Sequence, residues 1–289
     1  TQECENGAVG DNGMLGAGCV DPTDFHRSAL LIGLKEEQTT GYNPIKLGVI
    51  ASTDTHVSNP GNVKESDWAG SVVGEGTPVE RLQKGILTSG IDGNPGGLAG
   101  IWAEQNTRDS IFNALLRKEV FGTSGPRIRP RFFAGWNINE NLCNVNEMIS
   151  DAYASGVPMG GDLMPSRSKS FPKFLMHAAK DPEGLNIESI QLVKGWIDEE
   201  GNMNTKVIPV LSEIGGAESL CKVYTDTEFE NSLPSYYYMR VVEPKSPRWH
   251  TYDCERLSED DRPDVCTNET YPSFIREMAW TSPIWYRPE

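Results

Sequence analysis

At 289 residues the chain has length enough for two domains, and at 37% hydrophobic it can bury a full core. Its formal net charge of −15 argues against nucleic acid or an anionic membrane surface as a partner, because both call for clustered Lys and Arg. No apolar run approaches the roughly 20 residues of a membrane span.

The opening residues Thr1-Gln-Glu-Cys4 carry no initiator Met and no signal sequence, and read as a cut end, mature or fragmentary. Residues 1–20 are rich in Gly and Asn and predict loop. Asp21-Pro22 predicts an N-cap followed by Pro at the first helical position, opening a short helix with Phe25, Ala29, Leu30 and Ile32 on its apolar face and His26 as a surface or packing residue.

The stretch Leu47-Gly-Val-Ile-Ala-Ser-Thr-Asp-Thr-His56 predicts a fully buried strand over 47–52 running into polar residues. If the extended conformation persists, Asp54 and His56 point to the same side. A carboxylate and an imidazole converging there suit a divalent metal. Residues 57–100 are Gly-rich and irregular, with a helical turn within Val79–Leu87. Gly96-Gly97-x-x-Gly100 lacks the strand and spacing of a dinucleotide fingerprint. A second short buried strand is expected over Leu98–Glu104, then a helix capped by Thr107, with Ile111, Phe112, Leu115 and Leu116 at helical spacing and Gly122 as its stop. Strand, loop, strand and helix in this order predict the tail of an α/β domain.

From Ile128 the pattern changes. Segments 128–134, 174–179, 189–197, 206–211, 236–242 and 275–280 are short, rich in β-branched and aromatic residues, and bounded by breakers. They predict an antiparallel β-sandwich. His177 and His250 read as structural histidines.

The six cysteines include no C-x-x-C pair, which disfavours a thiolate zinc site. Cys4/Cys19 and Cys254/Cys266 each bracket a short loop that gains from a staple, leaving Cys143/Cys221 as the simplest third pair, although the count alone leaves the connectivity open. Such a layout favours an oxidising compartment. Asn268-Glu-Thr270 matches a glycosylation sequon.

Taken together, several phrases resemble the C-terminal half of an exported bacterial family described only as a domain of unknown function. They are Ile50-Ala-Ser-Thr-Asp-Thr-His56, Trp102-Ala-Glu-Gln-Asn-Thr-Arg108, Thr123-Ser-Gly-Pro-Arg-Ile128, Arg131-Phe-Phe133, Gly156-Val-Pro-Met-Gly-Gly161, Lys194-Gly-Trp196 and Trp280-Thr-Ser-Pro-Ile-Trp-Tyr286. That family is in turn similar to the PHP-type metal-dependent phosphoesterases, which use a distorted (β/α) barrel. The resemblance implies an α/β plus all-β chain. Residues 1–127 would be the C-terminal part of a PHP-like barrel, incomplete in this chain, and 128–289 a β-sandwich-like domain.

It also implies that Asp54 and His56 are ligands of one or more divalent metals (zinc, manganese or iron). On a hydrolase reading Glu104 would orient a ligand, its alternative being a helix-start or surface acid, and Ser124 and Arg127 would meet a substrate's negative charge, their alternatives being a structural turn and a domain-interface salt bridge. The family's H-x-H segment is missing here, and two ligands do not make a catalytic site. A companion polypeptide carrying the N-terminal half of the barrel is therefore expected. The function implied is part of a metal-dependent hydrolase acting on a phosphoester, periplasmic or secreted. The alternative is a non-enzymatic extracellular binding or structural subunit whose metal is vestigial or structural.

Overall fold

The computed structural model describes residues 4, 19, 21, 24–85, 89–166 and 170–288. Among them run twelve strands: β1 (Leu98–Ile101), β2 (Val120–Thr123), β3 (Arg129–Gly135), β4 (Val157–Pro158), β5 (Asp162–Leu163), β6 (Lys173–Ala179), β7 (Ile187–Ile197), β8 (Met203–Ala217), β9 (Ser219–Thr225), β10 (Ser235–Pro247), β11 (Phe274–Thr281) and β12 (Ile284–Tyr286). Five α-helices accompany them: α1 (His26–Thr40), α2 (Pro78–Arg81), α3 (Arg108–Arg117), α4 (Met148–Ser155) and α5 (Trp249–Arg256).

The strands form an 8-stranded and a 4-stranded sheet. β10 is the axis of the larger one. Along one edge it pairs with β7, and β7 with β8; along the other it pairs with β11 over one part and β12 over another. Its side chains explain that position. Tyr237, Met239 and Val241 join the core between the sheets, while Tyr236 and Tyr238 face the other way, onto Leu30, Leu31 and Leu34 of α1. Successive residues of a strand point to opposite faces, so a strand covered on both sides must be apolar at every position. The smaller sheet, in the order β4-β3-β6-β9, behaves alike. Phe132, Phe174 and Met176 enter the shared core, and Phe133 and Leu175 pack on the opposite face with Ile138, Leu142 and Ala152 of the α4 region. The outer strand β8 contains Pro209, which has no N–H to donate, and a register irregularity disturbs its pairing with β7. Both features suit a sheet edge.

These sheets correct the expected fold. Among the described residues there is no (β/α) barrel portion: every pairing of the named strands is antiparallel except the short contact of β5 with β12. β1 and β2 pair antiparallel through Leu98↔Thr123 to Ile101↔Val120, and β2 continues onto β11. A parallel sheet needs a crossover that returns the chain to the starting edge. Here α3 leads instead into a reversal, and β2 runs back along β1. A boundary at residue 127 would thus pass through one continuous sheet.

The strands expected from residue 128 onward are present as β3, β6, β7, β8, β10 and β11. α3 begins as its sequence predicts, with Thr107 accepting from the N–H of Ser110, but it ends at Lys118 in the left-handed region rather than at Gly122, which lies inside β2. α1 is longer than the expected helix, and Phe25, not Asp21, is its N-cap; Pro22 lies outside the described residues.

All three disulfides pair as the simplest layout requires: Cys4–Cys19, Cys143–Cys221 and Cys254–Cys266. They fit an oxidising compartment. Among the described residues no helix is long and apolar enough to cross a membrane. The second disulfide ties β9 to the loop before α4 beneath the smaller sheet. The third closes a satellite cluster built on Trp68, Leu82, Ile91 and Trp249. Inside that cluster Arg81 grips the buried Asp253 through two bonds, Nε to Oδ2 at 2.7 Å and Nη2 to Oδ1 at 3.1 Å.

Candidate functional site

The stretch expected to be a buried strand lies on the sheet instead of within it. Residues 47–55 form no ladder, and Leu47 and Ile50 are 56% and 57% exposed. The stretch is held by single bonds: the N–H of Val49 donates to Ser282 Oγ at 2.9 Å, and that of Gly97 to the carbonyl of Ser52 at 2.8 Å. Gly48 lets the backbone lie close, because a Cβ there would strike Val120, Lys118 and Ser282.

Asp54 and His56 are both exposed. Asp54 has a φ of 51°, so the backbone turns at the carboxylate itself and the chain does not stay extended to His56. Neither side chain makes a hydrogen bond or ion pair among the described residues. No group of three or more His, Cys, Asp or Glu among those residues is placed to hold a metal ion. Glu104 is exposed in the bend between β1 and α3, likewise without a partner. Exposed apolar side chains occur on the segments adjoining these residues in the chain. Phe112, Leu115 and Leu116 of α3 are 58%, 44% and 64% exposed, with only Ala114 of that helix buried. Leu47 and Ile50, also exposed, lie on either side of Gly48, which stands against Lys118 at the end of α3. On the other side of Ile50 a groove of about 530 Å³ runs between Phe25, Val49, Tyr238 and Trp280.

Arg127 lies elsewhere, on a cavity of about 290 Å³ whose walls carry Glu65, Asp181, Glu243 and Glu277. The turn after β2 shapes it. Ser124 Oγ donates to Glu277 Oε2 and accepts from the N–H of Met278 at 2.8 Å, which holds the turn against β11. The Arg127 N–H donates to Asp181 Oδ2 at 2.7 Å. Arg127, expected to meet an anion, thus lines a pocket with four acids, and the Ser124 hydroxyl is spent on one of them, Glu277.

Burial dominates the electrostatics of this cavity. It pushes Glu65 up to about 7 against the opposing pull of a hydrogen bond from the Trp249 N–H. It pushes Glu277 up to about 7 against the Ser124 hydroxyl, and Glu243 to about 8, aided by the neighbouring Glu277 and Asp181 and opposed by Lys180. Asp181 behaves differently: burial alone would raise it, but the N–H groups of Arg127 and Glu183 outweigh burial and hold it below the ordinary carboxylate range. Glu243 is 1% exposed, and its Oε1 has no hydrogen-bond partner. Sequence reasoning passed over these acids, although Glu243 after Val241-Val242 and Glu277 inside β11 are charges within apolar β runs, and that signal was readable.

Fold and surface together define a disulfide-stapled, largely antiparallel two-sheet protein with Asp54 and His56 both exposed and an acidic pocket that includes neither. The chain belongs to the family described as Protein of unknown function (DUF3604), whose profile matches residues 15–213 and 210–288. No curated protein and no solved structure matches the chain.

Proposed function

We propose that the chain is one part of a metal-dependent hydrolase acting on a phosphoester outside the cytoplasm, with Asp54 and His56 as two ligands of a divalent metal whose remaining ligands come from a companion polypeptide. The observation that carries this reading is the pairing of two exposed, unpartnered metal-ligand side chains with an apolar surface that nothing in the described chain covers. Exposed apolar side chains repeated along one helix, as in α3, mark a protein contact. A metal with two ligands from each partner has the donor number that a site needs. Such a metal supplies a bound water of lowered pKa and polarises a phosphoryl oxygen, and Glu104 is the exposed acid available to orient that water.

A second reading, a non-enzymatic extracellular binding subunit, is favoured by the lack of any three-donor cluster among the described residues. Elemental analysis of the intact assembly, with turnover of a generic phosphodiester with and without chelator, separates the two. Under the hydrolase reading, bound metal and turnover both fall at least tenfold in Asp54→Ala and His56→Ala. Replacing Phe112, Leu115 and Leu116 together by Ser leaves the isolated chain folded but releases the companion. An assembly free of metal, unchanged by Asp54→Ala and His56→Ala, leaves the binding subunit.

A further inference from the structure

The cavity beside Arg127 is independent of the metal reading, and its hydrogen bonding is incomplete. Asp181 accepts from the N–H groups of Arg127 and Glu183, Glu277 from Ser124, and Glu65 from the N–H of Trp249. Glu243 alone among these four accepts nothing at its buried Oε1, yet its side chain lines the same space. A buried carboxyl oxygen without a donor costs the full desolvation of that group. The neighbouring cations do not serve it: Lys64 Nζ donates to Glu183 Oε2 at 2.9 Å, Lys180 Nζ to the carbonyl of Gly184 at 3.1 Å, and Arg127 lines the wall without a hydrogen bond to Glu243 Oε1.

We propose that this cavity binds a small organic cation, a short aliphatic primary amine or diamine, whose ammonium donates to Glu243 and to the neighbouring Glu277.

Three features select that class. An ammonium has three donors and one charge, which suits oxygens set around a space rather than drawn to a point. A metal ion instead requires donors gathered about a single centre, and no three Asp, Glu, His or Cys side chains among the described residues are so placed. The volume of about 290 Å³ is that of roughly ten waters, enough for a chain of four or five carbons with an amino group at each end. Val63, Pro126, Leu185 and Pro247 supply the apolar wall against which such a stem packs.

The test is isothermal titration of the purified chain with 1,4-diaminobutane and butylamine, with 1-butanol as the neutral isostere and calcium as the competing cation. At pH 9, where Glu243 is ionised in the folded chain and the amines keep their proton, the amines bind and 1-butanol does not, and binding weakens toward pH 6 as Glu243 takes up its proton. Glu243→Gln and Glu277→Gln each weaken binding at least tenfold. Glu199→Gln, which removes an equal charge from an exposed position, leaves it unchanged and so sets diffuse attraction to an acidic protein apart. The proposal is overturned if no amine binds at millimolar concentration, if Glu199→Gln weakens binding as much as Glu243→Gln, or if calcium binds and the amines do not. Should Glu243→Gln fail to fold, Glu277→Gln set against Glu199→Gln still decides.

Discussion

Glu243 gives the sharpest test of how dry the acidic cavity is. Its carboxyl, raised from an ordinary 4.5 to about 8, stays protonated in the folded chain at neutral pH while the unfolded chain has lost that proton. The folded state then binds more protons than the unfolded one, so stability falls as pH rises. The contribution is fully present below the unfolded value of 4.5 and is lost progressively until pH passes about 8. Each tenfold change in proton affinity corresponds to about 1.4 kcal/mol. Integrated over the two titrations, this one residue removes about 2.5 kcal/mol between pH 5 and 7, and about 4 kcal/mol by pH 9.

Gln has nearly the same shape and no proton to lose. Glu243→Gln is therefore expected to match the wild type near pH 5 and to exceed it increasingly above pH 6. It also lifts a repulsion from Glu277, so the variant's own decline with pH is shallower. The other charges that face Glu243 are Asp181 and Lys180; the substitution leaves both in place. Urea unfolding at pH 5, 7 and 9 with all disulfides intact reads the difference directly as a change in midpoint at constant slope. Two curves that stay parallel within about 0.5 kcal/mol over this range would refute the reasoning, and Glu243 would have to be in contact with water.

The buried pair of Arg81 and Asp253 is expected to be costly to break from one side. Arg81→Met leaves the Asp253 carboxylate, 1% exposed, with only the more exposed Arg256, and should lower stability by about 3–5 kcal/mol; a loss below about 1 kcal/mol in urea would show that Arg256 takes over. The disulfides should rank by the loop they close. Cys143–Cys221 spans 78 residues and Cys254–Cys266 spans 12, so in the chain-entropy account replacing both cysteines by Ser costs about 4–5 kcal/mol for the first and about 3 for the second. Thermal unfolding of the two double variants checks the order, and a reversed order would mean that the local packing about Trp249 outweighs loop entropy.

The central strands were legible because their burial leaves no ambiguity. In Tyr236-Tyr-Tyr-Met239 both faces are apolar, and the structure covers both. The error over residues 47–52 arose from the same signal. A short apolar run has the same composition whether it lies within a sheet or across one, and Gly48 and Ala51 provide the small side chains that let this run lie across. β2 was hidden because Val120-Phe-Gly-Thr123 follows α3 so closely that Gly122 reads as the stop of the helix. β4, β5 and β12 span two or three residues each, too few for any period to show. The cavity was invisible for another reason: Glu65, Asp181, Glu243 and Glu277 are far apart in the chain, and only the pairing of β10 with β11 and the turns after β2 and β6 bring them together.

The antiparallel pairing of β2 with β11 also bears on where chemistry can occur. It fixes the turn 124–127 against Glu277, which places Ser124 and Arg127 beside the acidic pocket. The two regions therefore have opposite characters. At the pocket the chain's own acids face a half-open space with one buried oxygen unserved, so the amine proposed there needs no ligand from another chain. At Asp54 and His56 the side chains have no neighbours to bind with, and whatever ion they hold must draw its other ligands from outside the described residues. A metal at the second region depends on a partner and a cation at the first does not, so loss of the companion should abolish metal binding while leaving the affinity for an amine intact.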